Sequence, residues 1–364
     1  MPAPVEDRPP MAPRPRLRRL AQIAAVAGAG AAAWEVQRRI DARRVAADPQ
    51  TAELQRDLQG RPTEVRSADG TRIHVEVFGP EDAPTIVLVH GWTCALAFWH
   101  YQVVELSREF RVVAYDQRGH GRSEAPRGRA YTDQALSDDL EAVLQATVPA
   151  GQRCVVAGHS MGGMTVVAWA GRHREELGTR LAAAALVDTG MGHLTEQALV
   201  LPRWGGPLYR SLAPHLTGSP GPLPRTSTPL VHRALRRIAF GDGASAAHVA
   251  FAEKMLLECP ARARAGFGRF FSDMDLSTSV PALDVPTLVM VGEKDRLTPP
   301  WHARRLAESL PQVEAVVEVP GKGHMLPLES HALVSRSLAE LARTHLRDAA
   351  APAKPSRRQS ARVG

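Results

Sequence analysis

The stretch that decides the fold is Cys154-Val155-Val156-Ala157-Gly158-His159-Ser160-Met161-Gly162-Gly163. Cys154 to Ala157 is a short apolar run with β-branched residues, and it stops at Gly158. Beyond Ser160, the residues Met164, Val167, Ala168 and Gly171 recur at helical spacing. The order is therefore strand, sharp turn, helix. Gly158 to Gly162 fits G-x-S-x-G, in which glycines let the backbone turn tightly and leave the central side chain standing above the strand end. A serine at a helix start also serves as an ordinary cap. The strand directly before it and the helix directly after favour Ser160 as a nucleophile.

Working outward, Thr63 to Ser67 and Thr71 to Val77 flank Asp69-Gly70, a hairpin turn signal that gives an antiparallel start. Thr85 to Val89 is a continuous apolar run of the kind buried on both faces of a sheet. Arg111 to Tyr115, Arg153 to Ala157, Ala182 to Val187, Thr287 to Val291 and Ala315 to Val319 are similar. Helical patterns separate them, one marked by Leu136, Leu140, Val143 and Leu144 and another by Val334, Leu338 and Leu341. Strands alternating with helices predict a mostly parallel sheet covered on both faces. From Gly190 to Val280 the rhythm breaks, first in a Pro- and Gly-rich segment and then in helices; a cap over the carboxyl edge of the sheet is expected at about 190–280.

An activated serine requires a base and an acid that orients it, both later in the chain at strand ends. Val289 to Asp295 runs from a strand into a loop, and Pro320-Gly321-Lys322-Gly323-His324 does the same after the last strand. Asp295 and His324 are the candidates, with Asp188, Asp273 and Asp275 as rivals for the acid.

These pieces resemble the α/β-hydrolase superfamily, in its branch of esterases, lipases and cofactor-free haloperoxidases. The resemblance rests on His90-Gly91-Trp92, Asp116-Gln117-Arg118-Gly119-His120-Gly121-Arg122-Ser123, the serine elbow, Gly292-Glu293-Lys294-Asp295 and Gly323-His324, and it covers residues 63–347. It implies an α/β-hydrolase fold: an eight-stranded, mostly parallel sheet, helices on both faces and a helical cap insert. It also implies a Ser160–His324–Asp295 triad, an oxyanion hole from the backbone N–H groups of Trp92 and Met161, and no cofactor or metal. His90, His159 and Met325, beside these motif positions, are candidates for the substrate pocket. Asp116 to Ser123 reads as a charged turn held by its own hydrogen bonds. A serine rather than an aspartate at the elbow argues against dehalogenase and epoxide hydrolase chemistry.

The expected activity is cleavage of carboxylic esters, as in lipases, esterases or monoacylglycerol and lysophospholipid hydrolases. Two alternatives stay open. One is a perhydrolase or C–C bond hydrolase on the same triad, and the other is a membrane-tethered protein binding a small ligand through an inactive triad.

The ends of the chain read differently from its body. Across the 364 residues the net charge is +7. Residues 1–47 carry nine arginines against four acids, giving +5, and 348–364 carry +3, which leaves −1 for the body. Nucleic-acid binding by the body has no support. Three scattered cysteines in apolar contexts show neither a disulfide framework nor metal spacing and lean toward a reducing compartment. Residues 1–47 form an extension, disordered at first and then apolar; 48–347 form the hydrolase domain; 348–364 form a basic disordered tail. Within the extension, the uncharged run Leu20 to Trp34 has arginines on both flanks. It falls short of the ~20 residues of a membrane span. A membrane surface is an expected partner through residues 17–34, with a cleaved signal and a loose surface helix as the other readings. Membrane-associated placement is favoured, and cytoplasmic otherwise.

Overall fold

A computed structural model of the chain describes residues 32–126, 128, 130–192, 218–221, 223–224 and 226–346. The greater part of the apolar run, the early part of the cap insert and the basic tail lie outside the described residues.

Eight strands form one sheet: β1 Arg61–Arg66, β2 Arg72–Phe78, β3 Thr85–Val89, β4 Arg111–Tyr115, β5 Cys154–His159, β6 Leu181–Val187, β7 Thr287–Gly292 and β8 Val313–Val319. Their spatial order is β1-β2-β4-β3-β5-β6-β7-β8. The β1–β2 and β2–β4 pairs are antiparallel, and every other pair is parallel. The hairpin at Asp69-Gly70 supplies the antiparallel edge, with Gly70 at φ 82°.

Every residue of β3 is buried because both of its faces are covered. Val87 and Val89 point into one apolar cluster with the helices Asp133–Thr147 and Met161–Arg172. Ile86 and Leu88 point into the other, with Tyr101 and Val103 of the helix His100–Leu106 and Leu338 and Leu341 of the helix His331–Leu346. This period-two division explains the unbroken apolar runs in the sequence. Each fully buried Leu, Val or Ile contributes about 1.5–3 kcal/mol of transfer free energy.

Three helices of the insert are described, Pro229–Ala239, Ala246–Glu258 and Ala261–Asp273. Residues 32–47 are helical as well, where the sequence reads as a disordered and apolar extension. The reason is tertiary. Asp48, at the end of that helix, accepts hydrogen bonds from Ser245 Oγ at 2.7 Å and from Ala247 N at 3.2 Å, tying it to the start of a cap helix.

Candidate active site

The turn after β5 carries Ser160 at φ 50°, ψ −117°, a conformation that costs a non-glycine residue about 1–3 kcal/mol. The flanking glycines serve close approach rather than the turn itself. A Cβ on Gly162 would run into the Val89 carbonyl, and one on Gly158 into the backbone of Gly162. The elbow helix therefore packs directly over the ends of β3 and β5. Thr189 Oγ1 holds the Ser160 carbonyl at 2.7 Å. Ser160 makes no capping hydrogen bond to its helix, whereas Thr132, Thr228 and Ser245 each cap theirs. Its hydroxyl is committed elsewhere.

Ser160 Oγ lies 3.0 Å from His324 Nε2, and His324 Nδ1 lies 2.8 Å from Asp295 Oδ2. His324 follows β8 and Asp295 follows β7, so three loops at the carboxyl edge of the sheet bring together residues up to 164 positions apart. Asp295 is 2 % exposed and His324 4 %. Asp295 Oδ1 accepts the Leu297 and Thr298 amides at 2.8 and 2.9 Å, and Oδ2 accepts the Thr298 hydroxyl at 2.8 Å. An acid with so many donors is a carboxylate, so Nδ1 of His324 carries the proton and donates it. Nε2 is left to accept from the Ser160 hydroxyl.

The loop Gly91–Thr93 lies beside this line. A Cβ on Gly91 would sit 3.2 Å from Ser160 Cβ, and the Thr93 amide, at φ 60°, donates to His120 Nε2 at 3.2 Å. The backbone N–H groups of Trp92 and Met161 have no acceptor among the described residues. The Trp92 ring meets Phe271 edge-on at 5.3 Å, as a wall aromatic would.

Two of the pocket candidates are corrected. His90 is 0 % exposed; its Nδ1–H donates to the Gly91 carbonyl at 2.7 Å and its Nε2 accepts the Gln117 amide at 2.9 Å. Burial lowers it to about 4, so it is a neutral post bracing two loops. His159 is also buried, its Nε2–H donating to the His324 carbonyl at 2.7 Å, and burial holds it well below the usual range. Both lie under the site: all six residues of β5, with His159 last, are buried between the layers on the two faces of the sheet, and His90 follows β3 directly. Met325, 7 % exposed, packs with the core cluster.

Asp188, a rival acid, forms no hydrogen bond or ion pair with the imidazole of His324, whose Nδ1 is paired with Asp295. It accepts the Gly292 amide at 2.9 Å and the Leu326 amide at 3.0 Å, joining the loops that carry Asp295 and His324. Burial, together with the charge of Asp295, holds its carboxyl well above the usual range. Asp273 ends a cap helix, and Asp275 Oδ1 accepts the Ser277 amide. Thr298 was not singled out by sequence. Its only signal is a hydroxyl three residues beyond Asp295, the spacing of a local side-chain turn. Among the described residues no group of three or more His, Cys, Asp or Glu is placed to hold a metal ion.

The sheet order and the elbow after β5 are those of the alpha/beta hydrolase fold. Residues 84–330 match the family model of the alpha/beta hydrolase fold, and the chain belongs to that family. It is an enzyme. It is 25 % identical over 294 residues to the bifunctional esterase/perhydrolase DCH of Acinetobacter calcoaceticus, covering 77 % of this chain and 99 % of that one. It is similar in structure to a thermophilic esterase of Thermogutta terrifontis, with TM-score 0.63, 26 % identity and coverage of 79 % and 99 %. A protein of Mycobacterium tuberculosis named "Probable oxidoreductase EphD" is 29 % identical over 266 residues, 68 % of this chain. This chain spans 44 % of that protein's length.

Proposed function

We propose that the protein hydrolyses carboxylic esters by acyl transfer through Ser160, His324 and Asp295. The observation that carries this reading is the unbroken line from Ser160 Oγ to His324 Nε2 at 3.0 Å and from His324 Nδ1 to Asp295 Oδ2 at 2.8 Å. His324 takes the hydroxyl proton as Ser160 attacks the ester carbonyl. The buried, multiply hydrogen-bonded carboxylate of Asp295 holds the imidazole in the right tautomer and stabilises the imidazolium. The tetrahedral oxyanion is received by the N–H groups of Trp92 and Met161, the second of which opens a helix where the dipole favours negative charge. Collapse of the intermediate returns the proton to the leaving alcohol, and water, deprotonated by the same histidine, releases the acid. Medium or long acyl esters are the proposed substrates, and residues 17–34 the proposed contact with a membrane surface.

The similarity to an esterase/perhydrolase favours one second reading, in which hydrogen peroxide replaces water at the acyl-enzyme and a peracid leaves. Both readings use the same nucleophile. Ser160→Ala is expected to lower kcat on p-nitrophenyl acyl esters by more than about 10⁴-fold, with the thermal midpoint retained. Retained turnover in that variant overturns the proposal. Peracid formation from acetate and peroxide, compared with ester turnover over a series of chain lengths, separates the two readings.

A further inference from the structure

Among the described residues, four of the six exposed large apolar side chains lie on two helices: Trp34 at 44 %, Val36 at 58 % and Ile40 at 39 % on the helix 32–47, and Leu230 at 68 % on Pro229–Ala239. The two helices are neighbours. Gln37, Ile40, Asp41 and Arg44 of the first face His232, Arg233 and Arg236 of the second across a groove of about 330 Å³. Asp48 ties the first to the cap, so the pair is a built surface.

The charge on this surface is predominantly positive. Arg38, Arg39, Arg43 and Arg44 are exposed on the first helix, offset only by Glu35 and Asp41. Arg233, Arg236 and Arg237 are exposed on the second, with no acidic partner among the described residues. Residues 48–347 carry a net charge of −1, yet the helix Pro229–Ala239 alone carries +3. Leu230, Arg233 and Arg237 follow each other at helical spacing, an apolar residue at the base of a cationic stripe. No helix among the described residues is long and apolar enough to cross a membrane.

We propose that the helices 32–47 and Pro229–Ala239 together form a docking face for an anionic phospholipid surface. Val36 and Ile40, four apart on one side of the first helix, enter the headgroup and acyl boundary together with Leu230, and the arginines of both helices pair with lipid phosphates. The uncharged run from Leu20 leads directly into Trp34, so the apolar sequence and the folded face are continuous. Exposed aliphatic and indole groups beside the arginines favour lipid over nucleic acid, which offers no apolar depth to enter. The face extends the contact proposed for residues 17–34 into the cap. It does not depend on the ester-hydrolase reading.

The test is co-sedimentation of the full chain with vesicles of phosphatidylcholine alone or mixed with phosphatidylglycerol, at low and high salt. The wild-type chain is expected to partition to the anionic vesicles and to be released by salt. Arg233→Glu/Arg236→Glu/Arg237→Glu is expected to weaken that partitioning more than about tenfold. Its turnover of a short soluble ester and its thermal midpoint should stay at wild-type values, which checks folding separately from docking. Leu230→Ser should weaken binding to a smaller extent and leave the salt dependence in place. Undiminished partitioning of the triple variant overturns the proposal, because residues 17–34 then suffice. Equal partitioning of the wild type to neutral vesicles, or binding to duplex DNA with no binding to vesicles, overturns it too.

Discussion

The hydroxyl of Thr298 illustrates how much of the site is set by one atom. It donates to Asp295 Oδ2 at 2.8 Å, and its oxygen lies 3.2 Å from His324 Nδ1, so it fixes the carboxylate plane against which the imidazole turns. Thr298→Val keeps the shape and removes the donor. We expect kcat on a p-nitrophenyl ester to fall about tenfold, close to 1.4 kcal/mol, with KM changed less than twofold. An unchanged kcat would show that the Leu297 and Thr298 amides alone position Asp295. Ser160 itself sits at positive φ, a strain held in place by its neighbours: Thr189 on its carbonyl and the Gly162 approach beneath.

Among the elements, the turn Asp116 to Ser123 is the joint between the sheet and its antiparallel edge. Asp116 accepts the Leu96 amide at 2.7 Å and the Arg122 amide at 2.9 Å, which matches the sequence reading of a turn held by its own hydrogen bonds. Nothing in the sequence marks Arg118 as its anchor. Its side chain is 1 % exposed and forks onto Asp139, also 1 %, at 2.7 and 2.6 Å, while reaching Asp69 in the hairpin at 2.9 Å. Removing Asp139 takes away the buried carboxylate and leaves the buried guanidinium only the exposed Asp69 as an acidic partner, so Asp139→Ala is expected to lower the unfolding free energy by about 3 kcal/mol. Replacing both, as Arg118→Met/Asp139→Leu, is expected to recover most of that loss, since desolvation of the pair offsets much of its attraction. Urea titration of the two variants checks the difference. A double variant as unstable as the single one would mean that Arg118 is needed for its bonds to Asp69 and Ser67.

For the whole molecule, the buried histidines set the acid limit. Burial lowers His90, His248 and His302 to about 4 and His120 to about 3, with His159 well below its usual value. In the unfolded chain these groups titrate near 6.5. Between about pH 6.5 and 4 the unfolded chain thus binds more protons than the folded one, and stability falls as pH falls. Asp48 and Glu141, held below the usual carboxylate range by hydrogen bonds despite burial, add to the loss at still lower pH. The urea midpoint is expected to drop steadily from pH 7 to pH 4.5, with an uptake of several protons on unfolding. A flat midpoint across that window would contradict the burial of these rings.

The strand runs, the parallel core and the three loops that carry Ser160, Asp295 and His324 are legible in the sequence, because local periodicity and glycine-bearing strand ends are short-range signals. The rest depends on contacts between distant residues. Only the folded chain places His90 and His159 beneath the site rather than at its wall, and only it makes Asp188 a brace between two loops instead of an acid. The helix 32–47 belongs with them, since the carboxylate that ties its end to the cap is 197 and 199 residues from its partners. Sequence fixes which side chains can react; burial and the approach of remote backbone decide which of them hold the others in place.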